Sequence, residues 1–173
     1  MLKTTFTKSG SRPVLQIPKS SLELGLETTA ALGLLIMLYF TFTSWPLLPE
    51  TIPHHFDISG KPDAWGGKWT LSLLPGIGLV LYVGLTILSR YPHIYNYLWP
   101  ITEKNAAAQY HLARTMIVAL KAEISLLFAY LQQQTIQVAL GKAEGLGVAF
   151  LPTFLVLIFG TIGIYFVKAY QAR

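Results

Sequence analysis

The chain has 173 residues, of which 53% are hydrophobic and only 12% are charged, whereas an ordinary soluble domain carries about 25% charged residues. It contains no cysteine, which excludes disulfides and thiol chemistry. The net charge of +5 comes from basic residues at the ends of apolar runs, where they set membrane topology rather than form a nucleic-acid surface. The sequence therefore predicts one small integral membrane domain, surrounded by membrane lipid and without a nucleic-acid partner.

The first 26 residues are predicted to form a flexible cytoplasmic tail. They are mostly polar up to Lys19, and their basic residues are Lys3, Lys8, Arg12 and Lys19. The apolar run that follows is longer than the h-region of a signal peptide, and no small-residue cleavage site follows it. We therefore interpret this run as an uncleaved anchor, and we expect residues 27–173 to form a single four-helix membrane domain.

Four apolar stretches are long enough to cross a membrane as helices, so the predicted fold class is an all-α membrane protein. About 20 residues at 1.5 Å per residue cover the ~30 Å hydrocarbon layer. The predicted spans cover about residues 27–47, 69–88, 112–140 and 146–167. Prolines at positions 46 and 49 end the first span, and Arg90 and Pro92 end the second.

The distribution of lysine and arginine predicts the orientation. Basic residues are concentrated in the N-terminal tail, around residues 90–114 and at the C-terminus, whereas the other two connections carry only Lys61, Lys68 and Lys142. By the positive-inside rule, a multi-pass protein with this distribution has both termini in the cytoplasm. The loop between the first two spans, residues 48–68, then lies on the extracytoplasmic side.

This loop is dense in ionisable groups, turn formers and aromatic residues. Apolar and polar residues alternate from position 52 to position 59, which predicts an extended segment with two faces. One face is predicted to carry Ile52, Phe56 and Ile58 with His54 among them, and the other His55, Asp57 and Ser59. The turn signal at residues 59–63 predicts that the loop is a short extended segment or a hairpin.

His55 and Asp57 are predicted to lie on the same face, where they could form half of a metal site or an aspartate-oriented histidine. Zinc requires about three or four protein ligands, and a third would have to come from Glu50, Asp63 or Glu144. In the alternative interpretation, these side chains cap turns and contact lipid headgroups. A partner-binding or pH-sensing surface is favoured over metal binding and catalysis, so no cofactor is expected.

The loop also resembles a known sequence pattern, LP-x-x-IP-x-H-F-x-x-x-G-x-x-D-x-W-x-x-K. The matching residues are Leu48, Pro49, Ile52, Pro53, His55, Phe56, Gly60, Asp63, Trp65 and Lys68. This pattern marks a membrane domain of unknown function in SdpI-like proteins, whose namesake is an immunity protein against a secreted peptide toxin. The resemblance covers the first two spans and their loop, and it implies no enzymatic activity. The third and fourth spans do not resemble the immunity half of those proteins.

The candidate binding residues of the loop combine this pattern with the predicted polar face. They are Pro53, His55, Phe56, Asp57, Gly60, Asp63, Trp65 and Lys68. Because position 54 is variable in the pattern, the resemblance makes His55 the histidine to test first. Trp65 and Lys68 are expected to fix the return of the loop to the membrane surface.

The third predicted span is the most polar of the four. Spacings of seven, four and three residues place four polar residues on one stripe of a helix, namely Glu123, Tyr130, Gln134 and Gln137. Glu123 would cost about 2.5–3.5 kcal/mol if it faced lipid, so the stripe should face the bundle interior, a partner or a wet cavity. Lys121 lies on a different side of the helix, closer to the cytoplasmic end, where it can snorkel.

Three functional hypotheses follow from these features. The leading one is non-enzymatic recognition or sensing, or an accessory-subunit role, with a protein or peptide partner at the extracytoplasmic face or along the third helix. The second is a small-solute or proton pathway centred on Glu123. The third is a metal-dependent membrane enzyme that uses His55 and Asp57.

Overall fold

The computed structural model of this chain describes residues 4–5 and 12–173. It is mostly helical, and its four long helices are α1 (Ser21–Ser44), α2 (Leu73–Leu88), α3 (Ala106–Ala139) and α4 (Phe150–Gln171). Its short strands are β1 (Thr4–Thr5), β2 (Val14–Leu15), β3 (Thr51–Phe56) and β4 (Pro62–Gly67), paired antiparallel as β1 with β2 and β3 with β4. The predicted four helices, with an extended hairpin between the first two, are confirmed.

Three of these helical segments are long and apolar enough to cross a membrane. They are Ser21–Leu47, Lys68–Leu88 and Phe150–Gln171, where the first two include short 3-10 turns next to α1 and α2. With its 34 residues, α3 is roughly 50 Å long, but it is not among the apolar segments. The prediction of four apolar spans is therefore supported for α1, α2 and α4 only, because α3 carries charged and amide side chains along its length.

The first helix begins at Ser21, six residues before the predicted start of the first span. Ser20 accepts a hydrogen bond from the backbone N–H of Glu23, and the Glu23 carboxylate accepts one from the N–H of Ser20. This capping box satisfies two donors that a helix start leaves unpaired. The Ser-x-x-Glu signal is present in the sequence, but hydropathy alone places the start of the span further along the chain.

The segment from residue 12 to residue 20 lies against the bundle. The Arg12 guanidinium donates hydrogen bonds to the backbone carbonyls of His93 and Tyr95, and it lies 5.3 Å from the ring centroid of Tyr97. For these residues the sequence predicts a flexible tail, which would make no such contacts with the bundle. The other basic residues of the predicted tail, Lys3 and Lys8, lie outside the described residues.

The third helix occupies the centre of the bundle, and the other three helices pack around it. Thirteen residues of α3 are buried, whereas Ala169 is the only buried residue of α4. The contact with α1 is close, since a Cβ atom on Gly33 would lie 2.9 Å from the backbone carbon of Ser125. The polar helix is thus the interior one, and the apolar helix α4 lies at the periphery.

Two buried ion pairs join α1 to α3. The Arg114 guanidinium donates to both carboxylate oxygens of Glu23, at 2.8 and 2.9 Å, and both side chains are almost fully buried. Lys121 Nζ lies 2.5 Å from Glu27 Oε2 and donates to the Thr86 hydroxyl at 2.8 Å. The expectation that Lys121 snorkels is wrong, because this side chain is only 1% exposed and finds its counter-ion on α1.

Candidate functional site

The hairpin formed by β3 and β4 closes one end of the bundle, and its alternation is irregular. Ile52 and Pro53 are both buried, whereas His54 and His55 are both exposed. The pairing register shifts on either side of His55, which places successive side chains on the same side, as in a β-bulge. The predicted two-faced strand, with His54 on the apolar face, is therefore wrong.

The base of the hairpin is anchored by apolar packing. Ile52 is fully buried and belongs to a cluster with Leu48, Leu71 and Ile136, which joins the hairpin to α3. Lys68 Nζ donates a hydrogen bond of 3.0 Å to the carbonyl of Leu48, so it ties the end of the loop to its beginning. Lys68 also lies 5.4 Å from the ring centroid of Trp45.

The tip of the hairpin rests on the connection between α3 and α4. Gly60 adopts a φ of 80°, which favours glycine, and its carbonyl accepts a 2.8 Å hydrogen bond from the N–H of Leu146. A Cβ atom on Gly145 would lie 2.1 Å from that carbonyl oxygen, so no side chain fits there. Gly60, the glycine of the motif, thus has two structural roles: it forms the turn, and its carbonyl contacts the connection between α3 and α4.

Asp57 stabilises the turn that precedes Gly60. Its Oδ1 atom accepts hydrogen bonds from the Ser59 hydroxyl at 2.7 Å, the Ser59 N–H at 2.8 Å and the Lys61 N–H at 2.9 Å. The Ser59 hydroxyl, followed by the Lys61 N–H, lowers the pKa of Asp57 below its usual value. The Asp57 carboxylate therefore makes its hydrogen bonds within its own turn and has a structural role there.

The carboxylate beside His55 is that of Asp63 and not that of Asp57, which corrects the predicted pair. The distance from His55 Nδ1 to Asp63 Oδ1 is 2.6 Å, and the two side chains are 65% and 45% exposed. Within the described residues, no group of three or more histidine, aspartate or glutamate side chains could hold a metal ion. The hairpin therefore presents a two-residue polar pair to the surroundings.

Apolar side chains flank this pair on the exposed side of the hairpin. Trp65 is 51% exposed and Ile58, at the turn, is 87% exposed. Phe56 is half-buried. We call the exposed set of His55, Ile58, Asp63 and Trp65 the hairpin surface.

The structure divides the predicted polar stripe of α3 into two parts. Glu123 and Tyr130 both line a cavity of about 370 Å³ between α3 and α4. The Tyr130 hydroxyl donates to the Leu146 carbonyl at 2.7 Å, and its ring stacks on Phe150 with a centroid distance of 5.2 Å. Half-buried Gln134 and Gln137 lie further along the helix and do not line this cavity.

A second polar stripe of α3, which was not predicted, is the more buried one. It consists of Arg114, Lys121, Ser125 and Gln132, each no more than 7% exposed and spaced by seven, four and seven residues. The amide of Gln132 donates to the Thr41 hydroxyl at 2.8 Å and to the Leu71 carbonyl at 3.0 Å. The helical spacing was a signal for this stripe, but the sequence does not show which of two polar stripes faces inwards.

Comparisons with known proteins match part of the chain to proteins of unknown function. Residues 32–79 match the model of a domain of unknown function (DUF1648), a segment that contains the second half of α1, the hairpin and the start of α2. The chain is also 32% identical over 92 residues to an uncharacterized protein of Archaeoglobus fulgidus, an alignment that covers 49% of this chain. The chain spans about half of that relative, with 48% of its length covered.

No solved structure matches the chain. The domain match confirms the part of the sequence resemblance that concerns a domain of unknown function. Together with the three candidate spans, it indicates a multi-pass membrane protein that contains a domain of unknown function.

Proposed function

We propose that this protein is a non-enzymatic recognition or sensing protein, or an accessory subunit, which binds a protein or peptide partner through the hairpin surface. The observation that carries the proposal is the contrast between the two sides of the hairpin. The inner side is buried on the bundle through Ile52, whereas the outer side exposes His55, Ile58 and Trp65. In this proposal the hairpin lies on the extracytoplasmic side and both termini are cytoplasmic, as the distribution of basic residues predicts.

The hairpin is held in place at three points before any partner binds. Ile52 packs on α3, Lys68 bonds the Leu48 carbonyl, and the Gly60 carbonyl accepts the Leu146 N–H. A surface that is already ordered loses little conformational entropy on binding, which favours affinity. This arrangement supports recognition by a fixed surface rather than by a loop that folds on its partner.

The chemistry of the hairpin surface suits a protein or peptide. Trp65 and Ile58 offer apolar contact area, and exposed tryptophan is enriched among residues that dominate binding energy. The His55–Asp63 pair beside them offers both a donor and acceptors, which can fix the orientation of a partner. The resemblance to SdpI-like proteins, whose namesake is an immunity protein against a secreted peptide toxin, supports a protein or peptide as the partner.

Site-specific photo-crosslinking in native membranes tests this proposal. With p-benzoylphenylalanine in place of Ile58, we expect a defined protein or peptide adduct, identified by mass spectrometry. Adding Trp65→Ala should reduce that adduct at least about tenfold, because loss of a binding hot spot costs about 2 kcal/mol or more. Trp69→Ala is the matched control, since Trp69 is 63% exposed but lies in the turn that follows β4.

Two results would overturn the proposal: adducts at position 58 that contain lipid and no protein or peptide, or a protein adduct that Trp65→Ala leaves unchanged. A photo-crosslinker in place of Val156, which is 72% exposed on α4, reports the background from lipid and random collisions. Thermal unfolding of Trp65→Ala should match that of the unchanged protein, because this side chain is half exposed and is not part of the buried cluster.

A pathway through Glu123 is a second candidate, favoured by one specific observation. Glu123 lines both the 370 Å³ cavity and a neighbouring cavity of about 280 Å³ between α1, α3 and α4. Proton or solute flux into vesicles that contain the purified protein, abolished by Glu123→Gln, would support it, and absence of flux in the unchanged protein would exclude it. The metal-dependent enzyme is not proposed, because within the described residues His55 has one carboxylate partner and no third ligand.

A further inference from the structure

We propose that the cavity between α3 and α4 is a binding site for a lipophilic ammonium ion, an amine whose charge pairs with Glu123 and whose apolar body fills the cavity. This site is separate from the hairpin surface. The proposal concerns ligand binding only, whether or not a proton or solute crosses the membrane through the protein. The proposal rests on the geometry of one carboxylate, on the chemistry of the cavity lining and on the distribution of the protein's own cations.

One oxygen of the Glu123 carboxyl group has no hydrogen-bond partner among the described residues. Its Oε1 atom accepts the hydrogen bond of the Thr161 hydroxyl at 2.5 Å, which orients the carboxylate between α3 and α4. Its Oε2 atom is buried and has no hydrogen-bond partner in the described part of the chain. A buried acceptor without a partner is unfavourable, so a rotation of the Glu123 side chain that brings this oxygen to a positively charged donor in the cavity would be stabilised.

Apart from the hydroxyl groups of Tyr130 and Thr153, the remainder of the cavity lining is apolar. Of the nine lining residues, Glu123 is the only charged one, and Leu126, Leu127, Phe154 and Leu157 supply most of the apolar wall. The Tyr130 hydroxyl already donates to the Leu146 carbonyl, so it is not free to donate to a ligand. The cavity therefore complements a molecule with a single cationic group on an apolar body.

The cations of the protein leave Glu123 without a counter-ion among the described residues. Lys121, two positions away on α3, is paired with Glu27 on α1, and Arg114 is paired with Glu23. Lys168 shares only the neighbouring 280 Å³ cavity with Glu123, and it forms no ion pair with it. An external cation would therefore supply the counter-ion that holds the Glu123 carboxyl group in its charged form, in surroundings that screen charge weakly.

Binding of 4-phenylbutylammonium to the purified chain in phosphatidylcholine nanodiscs, measured by isothermal titration calorimetry against empty nanodiscs, tests the proposal. The neutral analogue 4-phenylbutanol has a closely similar apolar body without the charge. We expect the ammonium ion to bind about 10- to 100-fold more tightly than the alcohol, since a hydrogen bond to a charged group has that effect on affinity. Glu123→Gln should remove this preference and leave binding of the alcohol unchanged.

Glu103→Gln is the matched control, because it removes the same charge from an exposed position outside the helices and should leave both affinities unchanged. If Glu123→Gln does not fold, as judged by circular dichroism, Glu123→Asp and Leu157→Trp replace it. The shortened carboxylate should weaken the ammonium ion selectively, and the tryptophan should exclude both probes by filling the cavity. Equal affinities for the two probes in the unchanged protein, or an ammonium affinity unaffected by these variants, would overturn the proposal.

Discussion

Helices α3 and α4 follow one another in the chain, but they have opposite surroundings. α3 is polar, and its buried residues include Arg114, Lys121 and Gln132. α4 is apolar enough to span a membrane, and its apolar side chains face outwards, with Val156 and Phe159 at 72% and 66% exposure. In a membrane protein the apolar helix can lie next to lipid at no cost, whereas polar groups must find partners inside the bundle.

The comparison shows how α3 can be central despite its polarity. Its two buried cations each meet a counter-ion on α1: Arg114 meets Glu23, and Lys121 meets Glu27. Breaking such a pair leaves an isolated charge in a weakly polar environment, which is strongly unfavourable. If polarity is what positions α3, removing its polar contacts should have large effects, and equivalent changes on α4 should have small ones.

The largest expected effect is that of Arg114→Ala. It leaves the Glu23 carboxylate buried without its bidentate partner, and it also removes hydrogen bonds of 2.7 and 2.9 Å to the carbonyls of Ile17 and Pro18. We expect the free energy of unfolding to fall by about 3–5 kcal/mol. Denaturant titration in mixed micelles measures this change. The control is Lys168→Ala on α4, which removes an exposed cation and should change stability by about 0.5 kcal/mol or less.

Gln132→Leu tests whether neutral polar contacts also stabilise the centre of the bundle. The variant leaves the Leu71 carbonyl and the Thr41 hydroxyl without the amide that joins them, so unfolding should become about 1–3 kcal/mol easier. Gln134→Leu, two positions away and only half-buried, is the matched control. Similar losses in both variants would contradict the assignment of Gln132 to the inner stripe.

A pair of glycine variants compares the two packing environments directly. Gly33→Ala places a methyl group 2.9 Å from the α3 backbone at Ser125, and overpacking of this kind costs about 1–3 kcal/mol. Gly160→Ala on α4 meets no atom within 4 Å, so it should stabilise the protein by about 0.5–1 kcal/mol through higher helix propensity. Opposite signs in thermal unfolding support the comparison, and a destabilised Gly160→Ala variant would show that α4 has an unrecognised close neighbour.

The smallest effect concerns a carboxylate outside the bundle. Hydrogen bonds to Asp57 lower its pKa in the folded protein. The ionised side chain therefore stabilises the turn fully at pH values above its pKa in the unfolded chain, about 3.8. That contribution is lost as the pH falls through the lower folded pKa. NMR resonances of the Ser59 and Lys61 amides should report a local change in this acidic range. The amides of Asp57→Asn should not titrate there, and a transition that persists in this variant would have to be assigned to another group.

The sequence established the class of protein because that conclusion depends on composition and local pattern. Hydropathy located α1, α2 and α4, and the turn signal around Gly60 predicted the hairpin. The motif includes Lys68, which ties the end of the loop to its beginning through the Leu48 carbonyl. These features are determined by a few neighbouring residues and by the need to satisfy the backbone in lipid.

Tertiary structure decided which residues meet. Asp63 rather than Asp57 approaches His55, because a bulge changes the register at a position where regular alternation was assumed. Lys121 is buried rather than extended towards solvent, because α1 carries Glu27 at the matching height. The two polar stripes of α3 have equally good helical spacing, so only the packing of α1, α2 and α4 around that helix determines which stripe is buried and which one borders a cavity. Such choices depend on contacts between residues far apart in the chain, which a local pattern does not contain.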